Sequence, residues 1–173
     1  MEEIGYVESD NLPPVIPIHE GKPKRQIRVY ANEEILLILS EVGLNHQQVR
    51  DFTQTVINFL RPLQPEAVLV LGGIENGERG KIYAITNFDI KLNGIDSIDH
   101  GATTGTMALL LLSDLPVIAL LAPVEGNVDI KASTELLKTV GKIIGKKMKI
   151  PSSAMSLMRQ KKKTIEMDNS IYG

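Results

Sequence analysis

The chain finishes Ile171-Tyr172-Gly173: an aliphatic side chain, a phenol, then the residue bearing the terminal carboxylate. These groups suit a socket. The ring fills an apolar slot, its hydroxyl finds a partner, and the carboxylate pairs with a Lys. Capture of a chain end is a recognised mode of peptide binding. The pair Ile171-Tyr172 stands at the end of a polar segment and has no core of its own to enter. Arg159 and Lys161-Lys162-Lys163 precede it. Such a run is either simple solvation or a patch that steers the tail toward an acidic surface or RNA.

Other residues invite chemical readings that plainer ones match. Gly101-Ala102-Thr103-Thr104-Gly105-Thr106 leads into an apolar run, and amides at a helix start can bind anions. No Gly-Lys-Ser/Thr follows, so it is not a P-loop, and its glycine spacing is not the dinucleotide fingerprint. Small residues that let a helix start close to a sheet explain it equally. Ile74 to Gly80, with Gly77 and Gly80, reads as a ligand loop or as surface turn chemistry. Asp96, Asp99 and His100 cluster in sequence, but an Asp-rich turn accounts for them. His19, His46 and His100 have no metal-ligand spacing. No Ser sits in a nucleophile-elbow context. The expectation is no catalytic residue, no metal and no cofactor.

Composition narrows the classes. The 173 residues include no Cys, which excludes disulfides, thiolate metal sites and Cys nucleophiles. The apolar fraction of 43% supports a core, and net charge of −2 creates no field favouring nucleic acid or membranes. The longest unbroken apolar runs, Met107 to Leu112 and the equally long Val117 to Ala122, are too short for a bilayer. Glu2 and Glu3 replace the basic start of a signal peptide. A soluble, cytoplasmic protein is expected.

The elements that must carry these residues read as an α/β body over 1–150 and a flexible tail over 151–173. Ile4 to Val7 is a strand. Val15 to Ile18 and Gln26 to Tyr30 flank breakers at His19 to Lys24, which predicts an N-terminal hairpin. Glu34 to Leu39 carries a continuous apolar run from Ile35 onward, as expected of a strand buried on both faces. Asn45 with Gln48 predicts a capping box, and Val49, Phe52, Val56, Phe59 and Leu60 follow at helical spacing until Pro62 and Pro65. Ala67 to Leu71 is a strand stopped by Gly72-Gly73. Lys81 to Thr86 is another, and Phe88 to His100 is ambiguous around an Asn93-Gly94 turn. Thr103 to Leu112 predicts a helix and Val117 to Leu121 a buried strand. Asp129 caps a final helix striped by Ile130, Leu136, Leu137, Val140, Ile143 and Ile144, which Gly145 ends. Buried strands alternating with amphipathic helices predict a largely parallel or mixed central sheet flanked by helices.

The block Gly101 to Leu112, followed by Leu115-Pro116-Val117-Ile118-Ala119-Leu120-Leu121 and by Asp129-Ile130-Lys131-Ala132, resembles the proteasome-assembly-chaperone family. Glu34 to Leu39, the Asn45 helix, Val68-Leu69-Val70-Leu71-Gly72-Gly73 and Leu12-Pro13-Pro14-Val15 match its order of elements. The resemblance spans residues 4–150, and the ending Ile171-Tyr172-Gly173 is similar to that of archaeal members that engage the core-particle α ring. It implies a phosphorylase-like α/β sheet. It also implies self-association, with a homo-oligomeric ring of about four or five subunits presenting several tails at once. Family members carry an earlier strand, glycine turn and helix before the segment matching Ile4 to Val15. The chain is either a shortened variant or lacks its true start here; if that element is missing from the protein, the resemblance implies a vacant sheet edge or flank for a partner subunit to cover.

The expected function is an ATP-independent assembly chaperone or docking protein for the proteasome core particle. Tyr172 is the anchor, Ile171 its apolar neighbour and the Gly173 carboxylate the charge partner; a second protein partner is compatible with this. Two rivals stay open. One is a scaffold subunit of another complex. The other is a nucleoside- or phosphate-binding enzyme, for which the family's sheet and the Gly101 to Thr106 turn are the grounds.

Overall fold

The computed structural model describes residues 1–8, 11–125 and 129–148. They fall into two compact units, one of Met1–Pro65 with Thr103–Ser113, the other of Glu66–Ala102 with the chain from Asp114 onward. The segment 151–173, with every residue of the expected docking tail, lies outside the described residues.

Unit 1 contains β1 (Glu2–Tyr6), β2 (Ile18–His19), β3 (Lys22–Pro23), β4 (Ile27–Ala31), β5 (Leu36–Ser40), α1 (His46–Leu60) and α2 (Gly105–Leu111). The predicted hairpin turn is present. Glu20 and Gly21 both take positive φ, 52° and 75°, as a tight two-residue hairpin turn requires. The ladder it closes is only β2 on β3, extended by the Lys24 N–H donating to the Pro17 carbonyl at 2.8 Å. The strand expected to complete that hairpin pairs elsewhere: β4 lies between β1 and β5 in an antiparallel sheet ordered β1-β4-β5. Asn32 explains this. Its side chain accepts from the Glu34 and Ile35 N–H groups at 3.1 and 2.8 Å, turning the chain so that β5 folds back along β4.

The run Glu34 to Leu39 is consequently not a strand buried on both faces. Among the described residues β5 is an antiparallel edge strand, with Leu37 45% and Leu39 38% exposed. The capping box forms as its sequence predicts. The Asn45 Oδ1 accepts from the N–H groups of Gln47 and Gln48, and Gln48 Oε1 accepts from the Asn45 N–H. α1 buries Phe52, Thr53, Val56, Ile57 and Leu60, whereas Phe59 of the expected stripe is 44% exposed. α1 and α2 pack together.

Unit 2 contains β6 (Val68–Ile74), β7 (Tyr83–Thr86), β8 (Asp96–Ser97), β9 (Val117–Pro123) and α3 (Ile130–Ile143). Its mixed sheet has the order β6-β9-β7-β8, parallel at both ends and antiparallel between β9 and β7. β9 is buried from Val117 to Ala122, which accounts for its unbroken apolar sequence. Asn87 seats its start, donating to the Leu115 carbonyl at 2.9 Å and accepting from the Val117 N–H at 2.8 Å. α3 lays Ala132 and Leu136 on Ile118, Leu120 and Ala122.

Gly72-Gly73 does not stop β6, which continues in register with β9 to Ile74. Gly73 is a packing position, because a Cβ there would meet Val124 Cγ2 at 2.9 Å. Asp129 caps α3 by accepting from the Ala132 N–H. Gly145, at φ 67°, ends it in a hook closed by the Lys146 N–H on the Gly141 carbonyl at 2.7 Å.

Candidate protein-interaction surface

In unit 1, alternation along β4 sends Ile27 and Val29 into the core and Arg28 and Tyr30 to the opposite face. The register sets Tyr6, Arg28 and Leu39 in one row across the three strands, and Glu3, Tyr30 and Leu37 in the next. This outer face is apolar and open at Tyr6, Leu37 and Leu39, and Ile4, Ile16 and Ile18 of the same unit are also exposed. Concentrated exposure of large apolar side chains marks surfaces that meet other molecules.

A charged chain runs through the face. Arg28, only 7% exposed, pairs with Glu41, lies 3.8 Å from Glu3 and sits 5.5 Å from the Tyr30 ring centroid. His19 Nε2 approaches Glu41 Oε2 at 2.6 Å. Burial by itself would raise the Glu41 carboxyl, but the His19 hydrogen bond and the Arg28 charge outweigh it and hold Glu41 below its ordinary range. The Arg28 Nε has no partner among the described residues. Arg25 covers the Tyr6 ring at 4.4 Å and reaches Glu8 at 2.9 Å. These charges are matched within the unit, and the apolar atoms between them remain available to a partner.

The polar candidates are not gathered into a site. Asp96 lies 3.4 Å from Lys81, Asp99 accepts from Ser97 at 3.0 Å, and His100 is exposed. Thr104 makes no capping bond at the start of α2, and Gly105 takes φ 69°; the Gly101 to Thr106 turn serves a helix of seven residues. In the Ile74 to Gly80 loop a Cβ on Gly77 would meet Pro123 Cγ at 2.8 Å, and Tyr83 accepts from the Glu78 N–H at 2.9 Å. That loop is held by packing against its own sheet. A cleft of about 220 Å³ beside the start of α3 is lined by Arg79, Lys81 and Lys131 against Glu125, Asp129 and Glu135. Its charges balance and favour neither an anion nor a cation. Among the described residues, no group of three or more His, Asp and Glu could hold a metal.

The expected docking residues Ile171, Tyr172 and Gly173 and the steering residues Arg159, Lys161, Lys162 and Lys163 lie outside the described residues. The outer sheet face was not anticipated, because the run at Glu34 was expected to be buried on both sides. The signal for it was Asn32 standing between two apolar runs a hairpin loop apart.

These elements define a mixed α/β fold with an exposed apolar sheet face. The family model described as the PAC2 family matches residues 1–166, and the chain belongs to that family. An uncharacterized protein of Methanocaldococcus jannaschii is 26% identical over 153 residues, covering 83% of this chain and 64% of the relative, so the chain spans less than two thirds of that relative's length. PbaA of Pyrococcus furiosus, an archaeal homolog of proteasome-assembly chaperone, shares the fold with a TM-score of 0.81 at 22% identity, over 99% of this chain and 78% of PbaA. A protein with unknown function from Thermoplasma acidophilum gives a TM-score of 0.79 at 19% identity, again over 99% of this chain and 78% of the other. No described helix is long and apolar enough to cross a membrane.

Proposed function

We propose that this chain is an ATP-independent, non-enzymatic assembly factor or docking protein of the proteasome core particle, working in the cytoplasm. The observation that carries this reading is the fold correspondence along 99% of the chain to a homolog of proteasome-assembly chaperone, together with the chain's membership of the PAC2 family. The body self-associates into a ring of about four or five copies. The tails reach the core-particle α ring. Tyr172 anchors in a slot, Ile171 packs beside it and the terminal carboxylate meets a Lys. Arg159 and Lys161 to Lys163 set the association rate, because rim charges steer more than they hold.

Core particle captured on a surface tests this against wild-type protein, Tyr172→Ala, and a variant with residues added after Gly173. Loss of an aromatic anchor costs roughly 2 kcal/mol per site, and across several tails the loss compounds. Both variants should therefore lose binding while the body stays assembled. Equal binding by all three would show that the tail is not the docking element. A scaffold for another complex would then be the better reading.

A further inference from the structure

We infer that β5 is a self-pairing edge, which joins antiparallel to the β5 of a second copy of this chain and fuses two three-stranded sheets into one of six strands. The two edges of the unit 1 sheet differ. β1 carries Glu2 and Glu3 and a register shift between Glu3 and Gly5, devices that discourage pairing with another chain. β5 reads Leu36-Leu37-Ile38-Leu39-Ser40, with no charge, no proline and an unbroken register. An edge of that kind draws a further strand unless something covers it.

The ladder phase shows what this edge offers. The Asn32 N–H donates to the Ile35 carbonyl and the Glu41 N–H to the Gln26 carbonyl, each at 3.0 Å. Bonding pairs alternate along an antiparallel ladder, so Leu37 and Leu39 exchange bonds with Tyr30 and Arg28. The backbone groups of Leu36, Ile38 and Ser40 point away from β4.

The strand is complementary to itself. A two-fold axis at Ile38 sets Ile38 against its own copy and Leu36 against Ser40 of the partner subunit, each as a bonding pair. Leu37 then faces Leu39 of the partner subunit as a non-bonding pair, the arrangement that brings side chains closest. The exposed Leu37 and Leu39 of the two copies thus form one row of four leucines. The flanking acids fall outside the paired stretch, and Glu41 is matched by Arg28 and His19 within its own chain. β6, the other apolar edge, carries Gly72-Gly73 and offers less side chain for such contact.

A contact made by two short strands belongs with the smaller interfaces, so association is concentration dependent. It is isologous. In an assembly that also contains rings, it joins copies in pairs across rings. The inference rests on the self-association part of the proposed function and not on tail docking.

Sedimentation of the full chain over a concentration series tests it with two charge variants. Leu37→Lys with Leu39→Lys sets like charges opposite one another across the axis; Leu37→Lys with Leu39→Glu sets opposite charges there. Both positions are on the open face. The Lys/Lys chain should fall to half the wild-type mass, with association weakened roughly tenfold or more. The Lys/Glu chain should recover the mass and lose it in high salt. Ser40→Pro, which removes an outward N–H at a solvent-facing edge position, gives an independent loss should Lys/Lys fail to fold. Wild-type mass in both Lys/Lys and Ser40→Pro, or no recovery in Lys/Glu, overturns the proposal. Core-particle capture of the Lys/Lys chain keeps the two readings apart: its remaining binding should still vanish on Tyr172→Ala.

Discussion

Arg28 and Glu41 form an ion pair within the outer face of the unit 1 sheet, on side chains only 9% and 19% exposed. Glu41 follows the last residue of β5 and Arg28 lies in β4, so the pair bridges two strands. His19 comes to the same carboxylate from the hairpin arm. One carboxylate thus ties the arm to the sheet.

Removing either partner leaves the other, largely buried, with one remaining neighbour among the described residues: Glu3 at 3.8 Å for Arg28, His19 for Glu41. Arg28→Ala or Glu41→Gln should destabilise unit 1 by about 2–3 kcal/mol, a little under the range for fully buried pairs. Urea unfolding of the two single variants and the double variant is the measurement. Because the pair shares one network, the double variant should cost less than the sum of the singles.

The acid limb of stability follows from the same carboxylate. Glu41 is held below its ordinary value of 4.5 in the folded chain. Its contribution is therefore complete above that pH and is lost as the pH falls through the lower, folded value. Thermal unfolding between pH 6 and pH 3 should show wild type losing stability more steeply than Glu41→Gln. Parallel curves would remove Glu41 from the account.

Gly141 lies inside α3, where Ala would ordinarily gain up to about 1 kcal/mol. Here a Cβ would meet the Lys146 carbonyl oxygen at 2.5 Å and Met148 Cγ at 2.6 Å. The first of these is backbone and is held by the hook after Gly145. Gly141→Ala should thus lower stability by about 1–3 kcal/mol, the range for overpacking. A rise in melting temperature would mean that the hook opens without cost.

Asn45 closes the start of α1 in a full capping box, and Gln48 also donates to the Asn11 carbonyl. Asn45→Ala should cost about 1 kcal/mol, and Asn45→Ser should restore most of it. Circular dichroism during denaturation reads both.

Sequence by itself determined the elements whose signals are local. The Asn45–Gln48 box, the Asp129 cap and the Gly145 terminator are groups a few residues apart that satisfy backbone at a helix end, so spacing alone reveals them. The unbroken apolar run of β9 likewise announced a strand. The terminal Ile171-Tyr172-Gly173 is legible only in sequence, as it lies outside the described residues.

Tertiary structure decided what depends on partners distant in the chain. Leu36 to Leu39 and Val117 to Ala122 are both apolar runs, and nothing local distinguishes an edge from a centre. Among the described residues β9 gained a strand on each side, whereas β5 gained one, and that difference in pairing left Leu37 and Leu39 open. The pairing of Arg28 with Glu41 was equally invisible, because two charges thirteen residues apart meet only when Asn32 turns the chain and an antiparallel ladder fixes the register.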